Sequence, residues 1–392
     1  MSLDILRESL PDAQRKHLAA DAPLPARMMA AKGLAPLAPR EMVIVLCGLS
    51  LEDDEKVATA ARESLASLPE KVVAPALASE LPVPALDRLA RSFQNRDALL
   101  EPVALNRQTP DAALAAIASE VSSAIGEILI SNQERCLRSK ALVDGLRRNP
   151  RIIRSSKDRL FDFMVRSGVI HDDMPEFAEA FSRLSSSEVA EMSESVSLPP
   201  EVMALTHDGS VGAMLDGVRP EIDSMEELEN LDLEAEQVSE GDEADAELAA
   251  DSKNVSMLQL INGLNTAQKI ALAMKGNKEA RSILIRDTNK MVASAAIRSP
   301  RITEQEVKKA AQSRQVSDDV IRFISNSREL LRSYPVKVAL AQNPKTPQPT
   351  AMKLLTLLRQ PELRSISKSK NVPSAVSAQA KRILNRKRGA GR

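Results

Sequence analysis

The sequence predicts an all-α fold: an α-solenoid of stacked short helices, in two segments joined by an acidic, disordered linker. Three observations predict it. The chain has no Trp, one Tyr and six Phe, so aromatic residues are 2% of its 392 positions, whereas sheets draw on aromatic and β-branched side chains to fill a pleated surface. Apolar residues recur at three- and four-residue spacing in short blocks bounded by Pro, Gly, Asn, Asp or Ser, the signature of amphipathic helices separated by turns. A polar corner returns at intervals close to 43 residues, the period of two-helix repeats. A chain of this length exceeds what one core of roughly 250 residues fills.

The elements follow in order. Residues 1–35 read as an N-terminal arm. A first helical repeat domain is expected over 36–185, with blocks at 40–49, 53–68, 69–79, 82–93, 97–105, 111–119, 139–148 and 156–166. Residues 186–254 read as the acidic, largely disordered linker, and Pro199-Pro200 marks the fraying of the folded region before it. A second, basic repeat domain is expected over 255–385, with blocks at 256–264, 266–274, 278–286, 290–298, 303–313, 317–325, 335–342, 348–359 and 373–384. A basic tail, 386–392, ends the sequence. Helices this short are unstable alone in water, so they must stack. Thr303 and Glu306 have capping-box spacing. Pro69, Pro82, Pro361 and Pro373 suit first-turn positions, where a missing N–H costs little.

Self-comparison supplies the period. The stretch Asn289-Lys290-Met291 to Ser299-Pro300-Arg301-Ile302 aligns without a gap on Ser139-Lys140-Ala141 to Asn149-Pro150-Arg151-Ile152. The corner returns 44 residues after Ser299 as Asn343-Pro344-Lys345-Thr346, and a looser form at Asn106 lies 43 residues before Asn149. The pairing of Ser313-Arg314-Gln315-Val316 with Ser369-Lys370-Asn371-Val372 at a longer offset of 56 implies an inserted short helix near 354–363. Pro ends a helix, and the Asn or Ser before it accepts an extended conformation and can bond to nearby backbone.

On these stretches the chain resembles HEAT-like and armadillo-like α-helical repeat proteins, and bacterial proteins of that type in particular. The resemblance implies a scaffold for protein–protein interaction and no particular reaction. HEAT-like folds that act on flipped bases would want aromatic side chains around the base, and here Tyr334 is the sole Tyr.

Charge is partitioned along the chain. The net charge of −1 conceals 14 acidic and no basic residues over 221–251, against 28 basic and 8 acidic residues over 252–392. The acidic stretch has too few large apolar residues to offset the entropy of ordering, hence the linker reading. The basic array is expected to present Arg281, Arg286, Lys290, Arg298, Arg301, Lys308, Lys309, Arg314, Arg322 and Lys337 as a solvent-facing ridge. Its field would attract polyanions. The expected function is a non-enzymatic interaction scaffold whose basic array takes an acidic protein partner, with the acidic stretch as an internal shield. The alternative is a nucleic-acid-binding protein that contacts phosphate backbone with little sequence preference. Few aromatics argue against single-strand stacking.

Residues for catalysis are sparse, so no enzyme, no cofactor, no metal and no small-molecule substrate are expected. The three His are His17, His171 and His207. Only His171-Asp172-Asp173 forms a compact polar cluster, and an N-cap role for one of its Asp fits better than a metal site. Cys47 lies in an apolar run and reads as core. Cys136 follows Arg135, which could lower its pKa, but no partner base is visible. Glycine-rich phosphate loops and His-Glu-x-x-His are missing. The longest apolar run falls far short of the roughly 18 residues that span a bilayer. The opening residues mix both charges and lack an apolar signal core. A cytoplasmic protein without a membrane span is the expectation.

Overall fold

The computed structural model describes residues 2–19, 21–206 and 257–389. The all-α expectation is met, because every regular element among these residues is a helix. None of these helices is long and apolar enough to cross a membrane. The acidic stretch 221–251, with His207, lies outside the described residues. By internal contacts the chain divides into two units, Met1–Met164 and Val165–Arg392.

In the first unit, helices two or three apart in sequence pack on one another: Pro39–Leu49 on Glu70–Leu77, Val83–Ser92 on Asp111–Ile117, Asp97–Leu105 on Ser123–Ser131, and Asp111–Ile117 on Lys140–Arg148. Each helix buries a stripe, such as Leu142, Val143 and Leu146 of Lys140–Arg148, and gains from its neighbours the stability its length denies it. Small residues allow the close approach. A Cβ on Gly145 would lie 2.7 Å from Ala118 Cβ and 3.2 Å from the Ala115 carbonyl oxygen.

Residues 1–35, read above as an arm, carry the helices Ser2–Glu8 and Leu24–Ala31. These pack on Pro39–Leu49, and Leu6, Leu10 and Leu18 are buried. Leu24–Ala31 ends in a glycine turn, with Gly33 at φ 70° and the Leu34 N–H donating to the Met29 carbonyl at 3.1 Å.

The second unit repeats the arrangement. Ser186–Ser195 packs on Thr266–Lys275, which packs on Lys290–Arg298, which packs on Asp318–Asn326, while Glu304–Gln312 packs on Tyr334–Gln342. The range expected for the linker therefore opens with a capped helix: Ser185 and Glu188 close a capping box at its start, and it is part of the same unit as Thr266–Lys275. The helices Gln348–Leu357, Gln360–Lys368 and Ser374–Gly389 close the chain. Gln360–Lys368 supplies the extra helix that the longer offset implied. Thr303 and Glu306 form the expected capping box.

The corners share one geometry. Buried Asn343 donates through Nδ2 to the carbonyls of Ala311 (2.7 Å) and Ser313 (3.0 Å), while its Oδ1 accepts from the Lys345 N–H at 2.9 Å. Lys345 Nζ reaches the Val316 carbonyl at 2.8 Å. Asn149 does the same to Ala118 and Val121, both at 2.9 Å, and Arg151 donates to the Glu120 carbonyl. At the third corner Ser299 Oγ donates to Met274 O (3.2 Å), and Arg301 Nη1 to Lys275 O (3.0 Å). Each corner thus satisfies the end of a helix some 25 to 32 residues earlier, where carbonyls lack partners.

Candidate partner-binding groove

The helix Lys290–Arg298 starts at Asn289, whose Oδ1 accepts from the Met291 N–H at 3.0 Å. Met291, Val292, Ala293, Ala295, Ala296 and Ile297 are buried, which leaves Lys290, Ser294 and Arg298, four residues apart, as one outward stripe. On Asp318–Asn326 the residues Val320, Ile321 and Ile324 are buried. Its outward stripe is Asp319, Arg322, Phe323 and Asn326, at the same kind of spacing. The two stripes face a groove of about 340 Å³, whose third wall is Ala178, Phe181 and Ser182 of the helix Pro175–Arg183.

Two groups at opposite ends of this groove differ electrostatically. Lys290 Nζ stands 3.4 Å from the Asp319 carboxylate, both well exposed. Arg298 donates through Nη1 to the Leu184 carbonyl at 3.0 Å, and its guanidinium lies over the Phe323 ring, 5.3 Å from the centroid. Its Nε is buried without a hydrogen-bond partner. Burial pulls its pKa below the ordinary guanidinium value. Arg322 is exposed on the rim.

A second depression of about 470 Å³ shares Ala178, Lys290 and Met291 with the groove. There the charges are already matched. Lys269 pairs with Asp287 at 3.1 Å, and the Asp172 carboxylate accepts from Thr266 Oγ1 (2.7 Å) and Asn289 Nδ2 (3.0 Å). The N-cap expected of Asp172 or Asp173 is corrected by this geometry. Met174 occupies the cap of Pro175–Arg183 with no side-chain cap bond, and Asp172 instead joins residues 94 and 117 positions away. His171 meets the Phe177 ring edge-on at 5.5 Å.

The ten expected cations therefore do not form one ridge. Lys290, Arg298 and Arg322 line the groove. Arg281 is a correction: it is only 4% exposed, because Ala280, Arg281 and Leu284 share the buried face of its helix. Its Nε and Nη2 hold the Glu306 carboxylate at 2.9 and 3.2 Å, and Nη1 donates to the Gly276 carbonyl at 2.6 Å. Arg286 and Lys309 are exposed beside that pair, around a void of about 40 Å³. Arg301 is exposed but engaged with the carbonyls of Thr206 and Lys275. Lys308 and Arg314 are exposed, and Lys337 is half-buried.

The two thiols are free and buried. Burial pushes both Cys47 and Cys136 up to about 12, and at Cys136 the Asp111 charge adds to the rise. The expected help from Arg135 is not available, since its guanidinium is taken by Asp111 and the carbonyls of Thr109 and Asn106. Among the described residues no group of three or more His, Cys, Asp or Glu is gathered as metal ligands would be.

Ser294, Phe323, Asn326 and the wall at 178–182 were not anticipated from sequence. The four-residue spacing of Lys290, Ser294 and Arg298 could have marked their stripe. No local pattern links it to a helix more than 100 residues earlier. No family model, curated protein or solved structure matches this chain.

Proposed function

We propose that this chain is a non-enzymatic interaction scaffold of the HEAT or armadillo helical-repeat type, an α-solenoid whose basic C-terminal array takes an acidic protein partner in the cytoplasm. The observation that carries the reading is the groove bearing Arg298 and Arg322, two cations with no carboxylate partner among the described residues, within a segment of net +20. Stacked helix pairs that leave polar stripes outward support a binding surface. The acidic stretch 221–251, tied into the same chain, is the proposed competitor that keeps weak polyanions off this surface.

Nucleic-acid binding through phosphate contacts is the second reading, favoured by exposed Lys308, Lys309 and Arg314 away from the groove. Filter binding of polyglutamate and of a short DNA duplex across a salt series separates the two. The scaffold reading expects polyglutamate to be held at least as tightly as the duplex. A duplex held more tightly, with a log–log salt slope of about −0.9 per phosphate neutralised, transfers the function to the second reading. Binding of neither ligand removes both.

A further inference from the structure

A guanidinium withdrawn from water is costly unless an anion neutralises it and its donors are satisfied. Several partly or fully buried cations of this chain meet that condition; Arg88, with one carbonyl and a buried, unpartnered Nε, is an exception away from the groove. Arg281 has Glu306, Arg135 has Asp111, Lys269 has Asp287 and Arg27 has Glu52 at 2.8 Å. Arg298 does not. It has one carbonyl, the face of an aromatic ring and a buried Nε without a partner, and no carboxylate among the described residues lies within ion-pair distance. It faces a groove of about 340 Å³, a volume that accepts a few side chains.

We propose that this groove recognises an acidic and apolar peptide segment of a partner protein. In it the Arg298 guanidinium receives an Asp or Glu carboxylate, while the half-buried Phe323 ring and exposed Ala178 take the neighbouring apolar side chain. The proposal rests on the reading of an acidic partner and narrows it to one site and one chemistry. Charge complementarity selects the occupant. Arg298 and Arg322 are cations without carboxylates, and the Lys290–Asp319 pair closes the other end with no net charge. The Phe323 ring lies against the guanidinium, and a planar carboxylate is the acceptor that its remaining N–H donors fit. Nucleic acid suits the groove less well. Its phosphates repeat along the strand without apolar side chains for the Phe323 ring and Ala178.

The test is fluorescence anisotropy with the full chain and a labelled, end-blocked peptide of alternating Glu and Leu. A peptide with Gln in place of Glu, polyglutamate and a short duplex serve as comparisons. The expected result is binding of the Glu/Leu peptide that weakens about tenfold or more with Arg298→Met or with the Gln peptide, the usual scale for truncating a desolvated charge contact. Arg298→Lys should restore only part, because an ammonium lacks the planar fork. Arg322→Gln, at an exposed rim position, should weaken binding a few-fold without touching the fold, and Lys308→Gln should leave it unchanged. Circular dichroism checks that Arg298→Met remains folded; should it unfold, Arg322→Gln and the Gln peptide decide. Equal binding by wild type, Arg298→Met and Arg322→Gln, or by the Glu and Gln peptides, overturns the groove assignment. If polyglutamate still binds in that case, the broader reading of the basic array survives; if it does not, both fall. A duplex that displaces the peptide and loses affinity equally with Lys308→Gln also overturns it.

Discussion

Arg281 and Arg298 lie on neighbouring helices of one unit and differ in a single provision, a carboxylate. Arg281 is sandwiched with Glu306, each side chain 5% exposed, and Glu306 also accepts from the Thr303 N–H and hydroxyl at 2.8 and 2.6 Å. Burial pushes the Glu306 carboxyl up, but the hydrogen bonds from Arg281 and Thr303 outweigh it, and the net direction is down. A carboxylate depressed on folding stabilises the native state above its ordinary value of 4.5, and that contribution is lost as pH falls through the lowered native value. Glu306→Gln leaves Arg281 buried without its counter-ion and is expected to cost about 3–5 kcal/mol near neutral pH. Urea unfolding over a pH series checks this. The gap between wild type and variant should narrow below pH 4.5, and a constant gap would place the cost in packing rather than charge.

At the scale of helices and turns, the corner is the repeating unit of cohesion. Pro344 follows a residue whose amide ties off two carbonyls at the end of the helix Glu304–Gln312 and whose oxygen holds the next turn. Asn343→Ala removes all three bonds at a buried site, and leaving such groups unpaired costs about 1–3 kcal/mol each before relaxation and water entry. A drop in stability of at least about 2 kcal/mol is expected, with Asn343→Asp no better, since a carboxylate cannot donate to carbonyls. Thermal unfolding followed by circular dichroism measures it. A variant as stable as wild type would show that the corner bonds only accompany the packing. The cations at these corners have the same structural use. Arg151 and Arg301 bind carbonyls at or just past helix ends, and Lys345 binds the Val316 carbonyl in a loop between helices, which is why basic residues recur there independently of any ligand.

Over the whole molecule, the contacts that unite the second unit jump across the sequence between 206 and 257. Asp172 binds Thr266 and Asn289, the Asn277 N–H donates to the Leu205 carbonyl at 2.7 Å, and Arg301 donates to the Thr206 carbonyl at 3.3 Å. All of these groups lie outside residues 221–251. A chain lacking 221–251 is therefore expected to keep its helical circular dichroism and its Tm. Its low-salt affinity for polyglutamate should rise, because 14 negative charges tethered to the basic array are gone. Calorimetry and a binding titration on the deletion variant check the two halves. Unchanged affinity would remove the shielding idea while leaving the fold argument intact.

Short-range order was legible because it is written in short-range chemistry. The Lys290–Arg298 and Asp97–Leu105 helices coincide with their apolar blocks, the Thr303–Glu306 box forms, and the corner motif marks a real recurrent geometry. The helices Ser123–Ser131 and Ser186–Ser195 were not among the expected blocks; the second is polar in sequence and its stabilising face belongs to a distant partner, Thr266–Lys275. Net charge by segment was equally plain from composition. Which cation would be free was not. Arg281 and Arg298 have the same side chain on consecutive helices, and only packing brings Glu306 to one and an aromatic ring with an open groove to the other. Local periodicity records which face of a helix is apolar, whereas the neutralisation of a buried charge depends on a residue that the chain delivers from far away.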